Sequence, residues 1–363
     1  MTREEAATMR LANQQLTFHR FEKPEDVVDW MGMVQAQEYS QFRLAIAMRT
    51  IEPKIDALKE SFSSGKILRL HLFRCTVQAV TPQDYLWMHG LCRERNLQAE
   101  QSWMRSLGLK LSEQFFLEGM DALKEILSGG LSLSKDIIGE KLAAIGLPTE
   151  KRLLRHLLLH SEIEGVICSG TMTGKDPTWA LTSEWIRPVN NHTTISDNEA
   201  VVMLATKYFR SHSPASIEDF CWWSGLPVGQ LRKGIEAIAS ELVEVEVDGE
   251  KMYAWKDGLE CAADNVAGQC CLLPPYDEYL IGYKSRWVSL DKKHKDKAHN
   301  NFGIFHPVVL FNGQVVGNWN TVKIHGKRRV DVELFCLKRA VGKKRIESAI
   351  ASWQNAQTQN NEL

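Results

Sequence analysis

One local pattern, used twice, restricts this chain more than any other feature. Residues 135–160 read as a helix, the turn Gly146-Leu147-Pro148 and a second helix; residues 216–240 read as a helix, Gly225-Leu226-Pro227 and a second helix. Gly supplies the positive φ needed to leave a helix, and Pro is preorganised for the first turn of the next. Two short helices joined by a Gly-containing turn form the helix-turn-helix unit. Apolar runs follow each copy: Gly165 to Gly170 and Trp179-Ala180-Leu181 after the first, and 242–247 and 251–255 around Asp248-Gly249-Glu250 after the second. Asp-Gly between two such runs is a strong hairpin signal, so each copy is predicted to carry a two-stranded wing. A weaker third copy lies earlier, where Gly32-Met33 ends a helix over 24–32. A helical pattern through Phe42, Leu44, Ala45 and Met48, a helix over 54–64 and the β-rich run at 67–80 follow it.

The pattern changes from about 268 to 338. Short apolar runs (among them 279–283) alternate with Gly, Asn and Lys loops, and Asn312-Gly313 marks a tight turn. The fold class predicted is α+β, with three tandem winged-helix domains and a C-terminal β-barrel-like domain. The expected divisions are 1–110, 111–192 and 193–262 for the three winged helices, 263–354 for the β-domain with its closing helix, and 355–363 for a disordered tail.

Charge points to the partner. The net charge of the 363 residues is only −1. Between Lys284 and Arg345, however, 15 Lys and Arg face 4 Asp and Glu. One end of the molecule is therefore strongly basic, as a phosphate-binding surface would be. No run of about 18 apolar residues is present, so no membrane partner is expected. Met1-Thr2-Arg3-Glu4-Glu5 lacks the apolar run of a secretory signal, and the eight Cys contain no C-x-x-C pair. A cytoplasmic, nucleoid-associated protein with reduced thiols is the expectation.

Four stretches carry a family resemblance. Gly32-Met33-Val34-Gln35-Ala36-Gln37 contains a Gln-apolar-Gln motif, with Val34 standing between the Gly-apolar pair and the first Gln. Leu68-Arg69-Leu70-His71-Leu72-Phe73-Arg74 forms an Arg-x-His strand, and Ser213 to Leu226 spans the last helix-turn-helix. Leu272-Leu273-Pro274-Pro275-Tyr276-Asp277-Glu278-Tyr279-Leu280-Ile281-Gly282-Tyr283 opens the β-domain. In this order and spacing, the chain resembles the AlkZ-like (YcaQ-like) winged-helix DNA glycosylases, in the branch with Gln-apolar-Gln. The resemblance implies a monofunctional glycosylase that removes N7-alkylated guanine from double-stranded DNA, including crosslinked guanine. It also implies that Gln35 and Gln37 are the catalytic pair and that no cofactor or metal is used. A monomer is expected.

The chemistry tolerates a pair of amides. Glycoside hydrolysis usually relies on carboxylates around an oxocarbenium-like transition state. A Gln side chain can only donate and accept hydrogen bonds. An N7-alkylated guanine is already cationic, so it leaves without protonation, and the remaining task is to place a water on the anomeric carbon. In a helix, i and i+2 diverge, whereas in extended backbone they share a side. Residues 34–38 are therefore expected to be extended or looped, ahead of a helix starting near Ser40. Glu38 is the nearby carboxylate that could serve as base instead.

The expected DNA contacts are Arg69 and His71 on their strand, Arg152 and His156 on helix 149–160, and Lys327-Arg328-Arg329 in a basic loop. Arg152, His156 and His160 fall on one stripe, read as solvated or phosphate-facing. His156 and His160 have the spacing of a metal pair but lack the Glu and third ligand of H-E-x-x-H. Trp222-Trp223 reads as a core anchor, with base stacking as the alternative, and Asp277 and Glu278 read as structural acids by default, with positioning of the sugar as the alternative. Two other classes stay open: a non-catalytic winged-helix regulator that recognises one DNA sequence, and a winged-helix scaffold for other proteins.

Overall fold

A computed structural model describes residues 1–17, 19–173, 176–186, 195–261, 268–324, 327–336 and 341–357. The chain forms two compact units, Lys59–Ala200 and Met1–Leu58 with Val201–Leu363. Among the described residues no helix is long and apolar enough to cross a membrane.

In the unit Lys59–Ala200, the run at 67–80 is a hairpin. Strands Leu68–His71 and Val77–Val80 pair antiparallel, Leu68 opposite Val80. The long helix Pro82–Ser106 follows, its first turn closed by Thr81, whose hydroxyl accepts from the Asp84 N–H. Next come helix Glu113–Ile126, strand Leu133–Ser134, helices Lys135–Ala144 and Lys151–Ile163, and strands Ile167–Thr173 and Asp176–Leu181. The last strand lies between the other two in a three-stranded sheet. This is a helix-turn-helix with its wing, built on a core that includes Leu123, Leu127, Ile138, Leu142, Leu154 and Leu157.

The other unit repeats that order in its second half. Helix Asp197–His212, most of which lies here, is followed by Ile217–Ser224, Val228–Ala237 and the hairpin Leu242–Val247 with Glu250–Trp255. Ser216 and Asp219 form a capping box on the second helix, and Gly225 ends it at φ 68°. That left-handed conformation is one a β-carbon resists, which is why the turn needs Gly. Ala215 bridges Tyr253, adding a third, single-residue edge to the wing.

The C-terminal region departs from expectation. Its four antiparallel strands run in the order Lys327–Leu334, Gln314–Ile324, Val308–Phe311, Cys270–Leu273. Among the described residues this is an open sheet and not a barrel. Four strands are too few to close around a core. Instead the helix Lys343–Gln357 covers one face, bringing Trp353 and Ala349 into one apolar cluster with Leu272, Val309 and Trp319. Three further expectations are corrected. Residues 355–357 belong to this helix, while 358–363 lie outside the described residues. The apolar run at 279–283 is helical at its start, Glu278–Ile281, because the Asp277 carboxylate caps it at the Tyr279 N–H. Lys327-Arg328-Arg329 begin a strand paired with Gln314–Ile324, Arg329 opposite Val322.

Candidate active site

The segment bearing Gln35 and Gln37 is held open at both ends. Helix Pro24–Met31 stops at Gly32, φ 80°, where a β-carbon would lie 3.0 Å from the Lys207 Cβ. Helix Tyr39–Ala47 starts only after Glu38, which keeps extended backbone. Between them Val34–Gln35 is a two-residue strand, so residues 34–38 are non-helical. The Gln35 Oε1 accepts a 2.7 Å hydrogen bond from the Gln37 N–H, which fixes the Gln35 amide alongside the next residues. A carbonyl oxygen has two acceptor directions, so one remains for another donor. Gln35 is half-buried, and Gln37 and Glu38 are exposed.

A carboxylate from far along the chain meets this segment. Glu278, only 4% exposed, accepts the Gln35 N–H through its Oε1 at 2.7 Å. Its Oε2 stands 3.6 Å from the His212 Nε2. Burial, opposed by Glu278, holds the His212 imidazole below its usual value, so the ring is neutral near pH 7. The neighbouring charges are paired off. Arg49 binds Asp277 in a buried two-point pair, 2.9 and 2.7 Å, and donates to the Gln14 amide at 3.1 Å. Arg10 lies over the Tyr283 ring at 3.8 Å and 3.6 Å from Asp219. Two Arg–Asp pairs thus occupy the cluster, and the Glu278 carboxylate lies between the Gln35 N–H and His212, within the field of Arg49.

A narrow cleft opens at this point, lined among others by Gln35, Glu38, Gln41, Tyr276 and Glu278. It offers about 10 Å³ to the centre of a water molecule, the lower limit for holding one water. The sequence leaves Glu278 between a structural acid and one that positions the sugar, and does not link it to Gln35. The available signal is the pair Asp277-Glu278 itself: a capping Asp at the start of a short helix turns the next residue back toward the preceding chain.

The remaining candidates divide. In the unit Lys59–Ala200, Arg69 and His71 do share one half-exposed face of their strand. The His71 Nδ1 is 2.7 Å from the Glu162 Oε2, and its backbone N–H donates to the same oxygen at 3.2 Å. Burial pushes the Glu162 carboxyl up, but His71 and the Trp179 indole N–H bring it below the usual range overall. Arg152 is exposed. His156 is not on a solvated stripe: it is 1% exposed, its Nδ1 3.6 Å from Glu100, against the Trp103 ring at 4.7 Å. His160 binds the other Glu100 oxygen at 2.8 Å and stacks on Phe116. The apolar face of helix Lys151–Ile163 is wide enough to take in His156, which leaves Arg152 as the accessible member of the stripe. Among the described residues no cluster of three or more His, Cys, Asp or Glu could hold a metal. Arg329 is exposed on its strand. Trp223 is buried in the core, but Trp222 is 41% exposed, its indole N–H donating to the Ile281 carbonyl.

The non-helical segment with Gln35 and Gln37, a water-sized cleft and a buried carboxylate thus lie together in one unit of the chain. The sequence profile of the DNA glycosylase AlkZ-like family matches residues 28–355. The chain belongs to that family of DNA glycosylases. An interstrand DNA cross-link repair glycosylase of Streptomyces sahachiroi is 27% identical over 310 residues, covering 82% of each chain. The solved structure of Streptomyces sahachiroi DNA glycosylase AlkZ superposes with a TM-score of 0.81 at 23% identity, over 99% of this chain and 97% of that one. This last likeness shows a common fold.

Proposed function

We propose that the protein is a monofunctional glycosylase that hydrolyses the N-glycosidic bond of N7-alkylguanine in duplex DNA, with the attacking water positioned by Gln35 and Gln37. The observation that carries the reading is the one-water cleft beside a non-helical Gln35-Ala36-Gln37 segment whose first amide is fixed by the second Gln's N–H. A water there can donate to the free acceptor direction of the Gln35 oxygen, while Gln37 is exposed for a second contact at the lesion. The alkylated base departs as a neutral molecule, so no general acid is required. The sugar becomes cationic as the bond breaks. Glu278, tied to the Gln35 backbone, and Glu38, on the wall of the same cleft, supply negative charge beside it. A fixed charge facing charge that develops in the transition state often contributes more to catalysis than any other single effect.

On this reading the fold is three winged helices in tandem, the first formed around the Gln35 segment and divided from the next near 110, with later divisions near 192 and 262. Arg69, His71, Arg152 and the Lys327-Arg328-Arg329 strand end would meet the duplex. The cross-link repair named for the Streptomyces relative suits a site whose Gln37 and Glu38 are exposed, because a crosslinked base cannot be flipped far. The protein would act as a monomer in the cytoplasm.

The test is release of base from a duplex holding one N7-methylguanine, followed by cleavage of the abasic site in alkali. Wild type should release the base, and Gln37→Ala should be slower by a factor on the order of 100 with DNA affinity unchanged. Wild-type rates equal to buffer would end the glycosylase reading. Tight binding to one undamaged sequence would replace it with that of a regulator.

A further inference from the structure

A second feature of the unit that carries the cleft is a basic groove of about 430 Å³ beside an outward-pointing phenyl ring. The groove is lined by Lys284, Arg286, Lys292 and Lys295 with Trp222 and Trp287, and among the described residues no carboxylate lines it. Its aromatic and cationic groups are interleaved: the Arg286 guanidinium lies 5.4 Å from the Trp222 ring centre and 4.9 Å from that of Phe305. Burial, with the Arg286 and Lys295 charges, holds His299 in the same wall below its usual value, against the opposing pull of the Asn300 backbone and Asp296. Phe302 stands on the rim and is 91% exposed. A Phe left in water forgoes the favourable burial of its apolar ring.

The loop under Phe302 is built, not slack. The Asn300 Oδ1 accepts from the Phe302 N–H at 2.9 Å and the Ile304 N–H at 3.1 Å. The Asn300 N–H donates to the Ile304 carbonyl at 3.0 Å, and the Lys295 ammonium to the Asn301 side chain at 3.1 Å. His299 pairs with Phe305 across the loop base. A hydrogen-bonded turn that lifts one phenyl ring clear of a groove lined by four cationic side chains matches the chemistry of a duplex: phosphates for the cationic groups, a base-pair face for the ring. Proteins that distort DNA insert such apolar wedges between base steps, and aromatic side chains stack on exposed base faces.

We propose that this groove seats the DNA backbone beside the lesion and that Phe302 enters the base stack there as a wedge. The inference rests on the chain's acting on DNA, and it goes beyond the chemistry assigned to Gln35 and Gln37. The probe is a duplex with 2-aminopurine next to N7-methylguanine, and a matched duplex with unmodified guanine. Wild-type binding should raise the 2-aminopurine fluorescence. Phe302→Ala should bind within about threefold of wild type, abolish the rise and slow base release roughly tenfold, whereas Phe302→Trp should keep the rise. Lys292→Ala with Lys295→Ala should keep the rise at saturation and flatten the salt dependence of binding by about one to two units of slope. A wild-type rise from Phe302→Ala, or an unchanged salt slope in the double lysine variant, would overturn the proposal and leave the face to a protein partner. The fluorescence and salt readouts need no catalysis, so wild type that unstacks DNA without releasing base would sink the glycosylase reading alone.

Discussion

Two places in this molecule bring carboxylates, imidazoles and other polar groups together, and they end differently. In the unit Lys59–Ala200, Glu100 is taken by His156 and His160, and Glu162 by His71 and the Trp179 indole. Both of these acids face bases on their own unit, and the cluster closes on itself. Around Gln35 the balance is incomplete. Arg49 cancels Asp277 and Arg10 lies by Asp219, while Glu278 accepts a backbone N–H and stands off a neutral His212. Beside it lies a narrow cleft lined by Gln35 and the exposed Glu38, with exposed Gln37 next in the chain. The difference shows that polar residues alone do not mark a site. What marks it is charge and hydrogen-bonding capacity left unused next to open space.

The largest effect that could break this contrast is at the amides. Gln35→Ala removes the oxygen that accepts the Gln37 N–H as well as the proposed hold on water. Its rate of base release should fall by a factor on the order of 100 or more, with a melting temperature near that of wild type, because both amides sit at or near the surface. A variant with full activity would show that the cleft is no more catalytic than the His–Glu cluster. Next in size is Glu278→Gln. An amide oxygen can still accept the Gln35 N–H, so the backbone contact survives while the charge is lost. Single-turnover release should slow roughly tenfold with DNA affinity unchanged. If the rate holds and only thermal stability moves, Glu278 is a structural acid and nothing more.

Much of this architecture is readable in the sequence because its determinants are local. Gly146 and Gly225 end helices, Ser134 and Ser216 begin them, and Asp248-Gly249 and Asn312-Gly313 turn hairpins. Each of these depends on residues within one or two turns of itself. The open segment at 34–38 is legible for the same reason. What eludes the sequence depends on distant partners. Glu278 reaches Gln35 across 243 positions and Arg49 reaches Asp277 across 228. No spacing rule links such pairs. His156 is misplaced by periodicity because helical period sets direction, not the width of the buried face. Trp103 and Glu100, on another helix, decide that face. A closed barrel follows from runs of short strands only if nothing else covers them, and an open sheet under one helix produces the same runs.

The self-satisfied cluster should respond to mutation in stability and not in rate. Glu162→Gln leaves the His71 ring and the Trp179 indole with one weaker acceptor in a buried place. A loss of about 1–3 kcal/mol in denaturant unfolding is expected, with base release per folded molecule within about twofold of wild type. A large loss of rate at unchanged stability would mean that His71 needs Glu162 to meet DNA, and the two regions would then not be opposites.

The smallest effect is in pH, and its sign separates the groups. His156 and His212 are held below 6.5 in the folded chain, mainly by burial, with Glu100 and Glu278 pulling the other way. When the chain unfolds they titrate at about 6.5. The unfolded form therefore binds more protons once pH drops below 6.5. Stability contributed by keeping these rings neutral is complete above that value and declines as pH falls toward their folded values. Glu162 is held below 4.5, so its contribution is intact above 4.5 and is lost only as pH falls further through its folded value. Thermal melts should thus be flat from pH 8 to 7 and descend from 6.5 to 5, with a further fall below 4.5. His156→Gln should reduce the first descent without touching the second. Base release corrected for folded fraction should stay level between pH 7 and 8. The two Gln amides do not titrate, and His212 is already uncharged there. A rate that rises with an imidazole-like midpoint in that interval would assign the water's activation to a titrating base and not to the amide pair.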